Sequence, residues 1–256
     1  MSTSAAARRW VLPGATAAAL LLHASGAAAQ PARAADDILS RPVALVVALA
    51  LVTLLPFAFM TLTAFVKIST VLQIVRGAIG AQNVPSNTVV MALSAALTVL
   101  AMAPVGSRIA DRAGPLFADD KARDTTELVS SLVDATREPL RAFLKANASE
   151  RERGRFYEVA RLARPEAERD RVGRDDFVIL IPAFMVSELI AAFAIGFAIY
   201  LPFLIIDLVV SNVLLALGMQ MMNPTQVSLP FKLLLFVAVD GWGLLAQALV
   251  TGYRVS

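Results

Sequence analysis

The chain has 256 residues, 57% of them hydrophobic, a formal net charge of +3 and a mean hydropathy of +0.68. That composition excludes an ordinary globular domain, because water would meet most of the apolar surface. With no cysteine in the sequence, disulfides, thiol chemistry and cysteine-ligated metals are excluded as well.

Arg8-Arg9, the apolar run over residues 10–24 and the small residues Ala27-Ala-Ala29 have the three-part layout of a secretory signal peptide, so residues 1–29 are read as a leader. The single histidine, His23, falls inside it. The mature chain is therefore expected to hold no catalytic residue, no cofactor-binding residue and no metal ligand.

Residues 30–107 are read as the first membrane helices. The stretch 42–66 is uncharged, long enough to span with some tilt, and Lys67 ends it. A second apolar run, 88–105, follows a polar turn at 82–87. The connection between them carries Lys67 and Arg76 and no acid. By the positive-inside rule it is cytoplasmic, which puts the mature N-terminus and residues 108–176 outside.

Residues 108–176 hold thirty of the forty-three charged residues, fifteen of each sign. Mixed signs imply a solvated, periplasmic helical region and give no basic footprint for nucleic acid. Helical spacing over 125–145 sets Leu128, Leu132, Leu140, Phe143 and Leu144 on a stripe, with Pro139 expected to divide it into two shorter helices. A further helical stretch, 151–171, is ended or kinked at Arg164-Pro165. Packing against neighbouring copies and a solvated loop with helical pieces are both open to it.

The last part, 177–256, is the tract to which the others answer. Between Phe177 and Tyr253 only Glu188, Asp207, Lys232 and Asp240 are charged. Residues 177–206 are too many for one untilted span and include Pro182 and Pro202. The fifteen uncharged residues 208–222 would rise about 22 Å as a helix, short of the roughly 30 Å hydrocarbon core. A break is expected at Asn223-Pro224, and Pro230 suits the first turn of the next helix. Broken backbone at membrane depth persists only where protein buries it or a watery path runs beside it. The turn at 218–223 is thus a pore-facing candidate, with Met219, Gln220, Met221 and Met222 as its gate. Thioether chains deform, which suits a seal that yields to any sequence; gap-filling in a helical core is the other reading.

An ionisable group in hydrocarbon costs at least about 2.5 kcal/mol, so each charge needs a partner or water. Lys232 and Asp240 stand about 12 Å apart along one helix and do not pair. Glu188 and Lys232 are expected to make contacts between helices or between subunits. Lys67 reads as a snorkelling boundary residue, and Arg76, nine positions on, faces the opposite side of a continuous helix. Asp207 marks either a helix end or a buried charge, and Asp240 either a turn or an inter-subunit contact.

Three ordered motifs make the chain recognisable: Pro182-Ala-Phe-Met-Val-Ser-Glu-Leu-Ile-Ala-Ala-Phe-Ala-Ile-Gly-Phe197, Tyr200-Leu-Pro-Phe-Leu-Ile-Ile-Asp207 and Leu229-Pro-Phe-Lys-Leu-Leu-Leu-Phe-Val-Ala-Val-Asp-Gly-Trp242. They resemble the FliP/SctR family of type III secretion export gates. Weaker likeness at Phe65-Val-Lys67, Val84-Pro85 and Met102-Ala-Pro-Val-Gly106 extends it to most of the chain after about Arg41. Departures are Ala194, where the family usually has a polar or charged side chain, and Gln220, which interrupts a methionine run. The expected fold is an all-α membrane protein with about four hydrophobic helical segments, broken hairpins and a mixed-charge extramembrane region. The resemblance implies a homo-oligomer that assembles with SctS-like and SctT-like subunits in membrane lipid, is fed by an SctV-like component, passes unfolded secreted proteins, and uses no cofactor. The injectisome branch is favoured by residues 211–218 and the spacing around 102–106, the flagellar branch by the leader.

Two other classes compete. An intramembrane aspartyl protease would pair Asp207 with Asp240, but Asp240 lacks a Gly-x-Gly-Asp context. An ion-coupled transporter should carry inverted repeats, and none is evident.

Overall fold

In a computed structural model the described residues are 46, 49–50, 52–81, 84–118 and 125–254. The leader reading lies outside them. The chain divides into two compact units, Met1–Leu51 and Val52–Ser256, and the second holds every element below. It is all-α: α1 (Val52–Leu62), α2 (Phe65–Ile79), α3 (Asn87–Ala118), α4 (Thr125–Asn147), α5 (Glu150–Leu162), a 3-10 turn (Glu166–Arg171), α6 (Phe177–Ala216), α7 (Pro224–Ala238) and α8 (Gly241–Thr251).

The central helix is α2, which packs against α3, α6 and α7. Ala64, Ile68, Val71, Leu72, Val75, Ala78 and Ile79 are between 0 and 2% exposed. Apolar residues round most of its circumference permit this, and the polar Gln73 and Arg76 are confined to one side, at an open recess beside Gly77. The expected span over 42–66 does not run through to Lys67. α1 and α2 meet at a 67° bend, where Thr61 and Thr63 turn their hydroxyls onto the carbonyls of Phe57 and Phe59 and the Phe65 amide donates to Thr63 Oγ1 at 3.3 Å. Such hydroxyl bonds compete with the helical ladder and bend it. Lys67 therefore lies inside a helix and is buried, so the loop on which the positive-inside argument rested is not a loop.

In α3 the buried face is built from Ser94, Leu97, Thr98, Ala101 and Val105. Ser94 and Thr98 donate to the carbonyls four residues back, at 2.7 and 2.6 Å, so no hydroxyl is stranded. The helix carries Pro104 and Pro115 without breaking.

Pro139 likewise fails to divide α4, which runs unbroken from Thr125 to Asn147. A proline costs one ladder bond, and its ring is buried here against neighbouring helices. Ser149 caps α5, accepting from the Glu152 amide at 3.3 Å, and Glu152 bonds Arg155 at 2.9 Å. The α4–α5 corner docks on α6: the Ser149 amide donates to Ser187 Oγ at 2.9 Å, and the Phe143 and Phe184 rings lie 5.6 Å apart. Charged helices thus cover the first half of α6.

Asp207 does not end a helix. α6 runs forty residues with Pro182 and Pro202 inside it, a rise of about 60 Å. Only 17% of its most apolar window is buried. The break expected at residue 223 comes earlier, after Ala216, and α7 starts at Pro224 with Asn223 Oδ1 accepting from the Thr225 amide at 3.0 Å. Because that cap places Pro224 at the first helical position, Pro230 falls in the interior of α7, not in its first turn. A 57° bend joins α7 to α8. Among the described residues two helices are long and apolar enough to cross a membrane, and up to four spans result if each bent pair is one.

Candidate functional site

Two buried charge clusters hold α2 at its ends. At the first, Lys67 of α2 donates to Glu188 Oε1 of α6 at 3.2 Å. Its ammonium lies 3.7 Å over the Tyr253 ring, just beyond α8. The Tyr253 hydroxyl, with one proton, meets two acceptors, Glu188 Oε2 and the Ala64 carbonyl at 3.0 Å. A cation in the first turn opposes the helix dipole, so the carboxylate and the ring face are what make the position tolerable. Lys67 is held inside the protein and does not snorkel.

At the other end, Lys232 of α7 bridges Asp207 Oδ2 at 2.6 Å and the Ala78 carbonyl at 3.2 Å. Ser228, one turn before Lys232, donates to Asp207 Oδ1. Here the ammonium meets the negative end of α2, where a cation is favoured. Gly80 follows at φ 77°, the left-handed residue that ends the helix, and a Cβ on it would sit 3.3 Å from Thr225 Cγ2.

Of the six charges singled out from the sequence, then, four form two pairs: Lys67 with Glu188, and Lys232 with Asp207. A direct Glu188–Lys232 pair is not formed, because each has a nearer partner of its own. Arg76 and Asp240 make no ion pair among the described residues. Asp240 sits exposed at the α7–α8 break with φ 51°, and its side chain does not cap α8. The aspartate dyad of a protease is not assembled: Asp207 is taken up by Ser228 and Lys232, while Asp240 lies beyond the far end of α7, at the N-terminus of α8. A Ser228–Lys232 dyad offers no alternative, since both side chains are buried and spend their protons on Asp207.

The turn between α6 and α7 carries Gly218 at φ 72° and leaves Met219, Gln220, Met221 and Met222 exposed, Met221 completely. Beside it an apolar groove of about 560 Å³ runs between α6 and α7, lined by residues that include Val209, Val213, Leu217, Val227 and Phe231. Sequence reading did not find Tyr253 or Ser228. Ser228 carried a signal in its position four before Lys232, on the same helix face; Tyr253 carried none.

This is a multi-pass all-α membrane protein in which two ion pairs, Lys67–Glu188 and Lys232–Asp207, join the apolar helices, and whose long apolar faces are left for other surfaces to cover. The chain belongs to the FliP family, which it matches over residues 48–249. It is 41% identical to the hypersensitivity response secretion protein HrcR of Ralstonia nicotianae over 82% of its length and 96% of that protein's. To the Yop proteins translocation protein R of Yersinia pestis it is 44% identical, over 82% and 95%. The virulence protein YscR of Salmonella typhimurium is 39% identical, over 83% and 97%. The first is named for secretion, the second for translocation and the third for virulence.

Proposed function

We propose that this chain is a structural and gating subunit of a type III secretion apparatus of the injectisome kind, in the bacterial inner membrane. It assembles in several copies with SctS-like and SctT-like subunits into a gate that an SctV-like component feeds with unfolded protein. Residues 108–176 stand on the periplasmic side. It performs no reaction: export is energised elsewhere, and this chain supplies walls and a stopper. The relatives named for harpin, Yop and virulence secretion favour this branch over the flagellar one.

The observation that carries the reading is the 218–222 turn, three thioethers exposed where two apolar helices break. Buried in a core, methionine fills gaps; exposed at a break in a membrane tract, it can pack against copies of itself and part again. The test is M219A/M221A/M222A in cells that assemble the apparatus. Raised permeability to small ions, with the complex still assembled, is the expected result; unchanged permeability removes the stopper from that turn.

A further inference from the structure

The cluster at the first end of α2 is one hydrogen short. Tyr253 has a single hydroxyl proton and stands against two acceptors, Glu188 Oε2 and the Ala64 carbonyl at 3.0 Å. While Glu188 is ionised the hydroxyl serves one of them at a time, because a carboxylate accepts and does not donate. A proton on Oε2 fills the whole row: Glu188 donates to the Tyr253 oxygen, and Tyr253 donates to Ala64. The same set of atoms therefore suits two charge states of Glu188.

A route for that proton exists. Glu188 is buried, yet with Lys67 and Ser187 it forms part of the wall of a polar pocket of about 490 Å³, which Lys145, Ser149 and Arg254 also line. Water occupies about 30 Å³ per molecule in the liquid, so the pocket has room for several, each within reach of polar groups. Lys145 of α4, Glu150 and Arg153 of α5, and Arg254 just beyond α8 are the other charges facing it. Lys145 and Arg153 already meet Asp175, and Arg153 meets Glu150 as well. Lys67, 3.2 Å from Glu188 Oε1, is thus the charge that most opposes an incoming proton.

We propose that Glu188 is a reversible proton-binding site, filled from this pocket, and that its charge selects the partner of Tyr253. Ionised, it receives the hydroxyl and ties the end of the chain to α6. On uptake a proton from water adds to Oε2, the cluster gains one positive charge, and the hydroxyl turns to the Ala64 carbonyl at the α1–α2 bend. Only hydrogen bonds change hands. Lys67 keeps its place, since Oε1 of the neutral carboxyl still accepts from it and the Tyr253 ring lies 3.7 Å beneath the ammonium. What is lost is the ion pair between α2 and α6; what is gained is a tie from the bend to the residues after α8. Nothing in this needs a second copy, so it stands or falls separately from the gate.

Infrared difference spectra of the full-length chain in detergent, taken between pH 8 and pH 4, read the proton directly. They should contain a protonated-carboxyl band that is missing from E188Q, whose amide imitates the neutral side chain without taking up a proton. Carboxyl bands that are the same in E188Q and wild type overturn the proposal. Y253F removes the oxygen that accepts from the neutral carboxyl and should move the band to higher frequency. A band that stays where it was in Y253F overturns the choice of partner by charge. Should E188Q give no cooperative thermal melt, the Y253F arm decides alone, because that variant keeps both Glu188 and its ion pair with Lys67.

Discussion

Lys67 and Glu188 are 121 positions apart in the chain and in contact at 3.2 Å. Removing one partner strands the other, at a cost of about 3–5 kcal/mol, while removing both is often close to neutral. K67M should therefore lower the melting midpoint of the detergent-purified chain sharply, and K67M/E188L should recover most of it; equal loss in both would show that packing, not charge, holds that end of α2. Y253F removes a bond to a charged group and is expected to cost about 1.5–3 kcal/mol by the same measurement. From sequence it was legible that these charges needed partners, since hydrocarbon does not tolerate them bare. Which partner each takes was not, because a pairing across 121 residues leaves no trace in local spacing.

Between elements, the contact that most constrains the fold is α2 on α6. Gly196 lies where a Cβ would come 2.5 Å from Ile74 Cδ1. G196A should destabilise by about 1–3 kcal/mol and I74A/G196A by less than the sum of its single changes, read as a double-mutant cycle of melting midpoints. The charged helices are attached to α6 more weakly. Asp175, just before it, bonds Lys145 at 2.6 Å and Arg153 at 3.0 Å. The hydrogen bond from Lys145 holds its carboxyl below the usual range against the opposing effect of burial, with the charges of Lys145 and Arg153 adding to the lowering. A lowered carboxyl stabilises above its unfolded value, near pH 4, and the gain is lost as pH falls through the folded value. The site is largely exposed, so the effect is at most about 1 kcal/mol. Protection factors of the α4 and α5 amides, corrected for the intrinsic pH dependence of exchange, should fall between pH 6 and pH 3 in the wild type and change less in D175N. Helix positions here were readable from apolar runs and prolines, but helix limits were not. Pro139, Pro182 and Pro202 each cost a ladder bond without ending a helix, because packing and the rest of the ladder hold it.

For the molecule as a whole, exposed Phe193, Phe197, Leu204, Leu208, Leu234 and Val237 are what the interior leaves over. Light scattering on mildly solubilised material should find a multimer; a lone monomer would count against every contact proposed between copies. Family and helical class were legible in the three long motifs, whereas the bend at Thr63 and the two charge clusters emerged only in three dimensions. One dimension settles more than it first suggests. A helix of forty residues is about twice as tall as the hydrocarbon slab, and lying wholly inside it would take an inclination near 60°, beyond the 0–40° that spanning helices adopt. Much of that greasy column must then be sheathed by polypeptide, not lipid. Synthesis of this chain without its companions should leave a half-built intermediate for quality-control proteases, so a bacterium that makes the apparatus has reason to produce its parts in step.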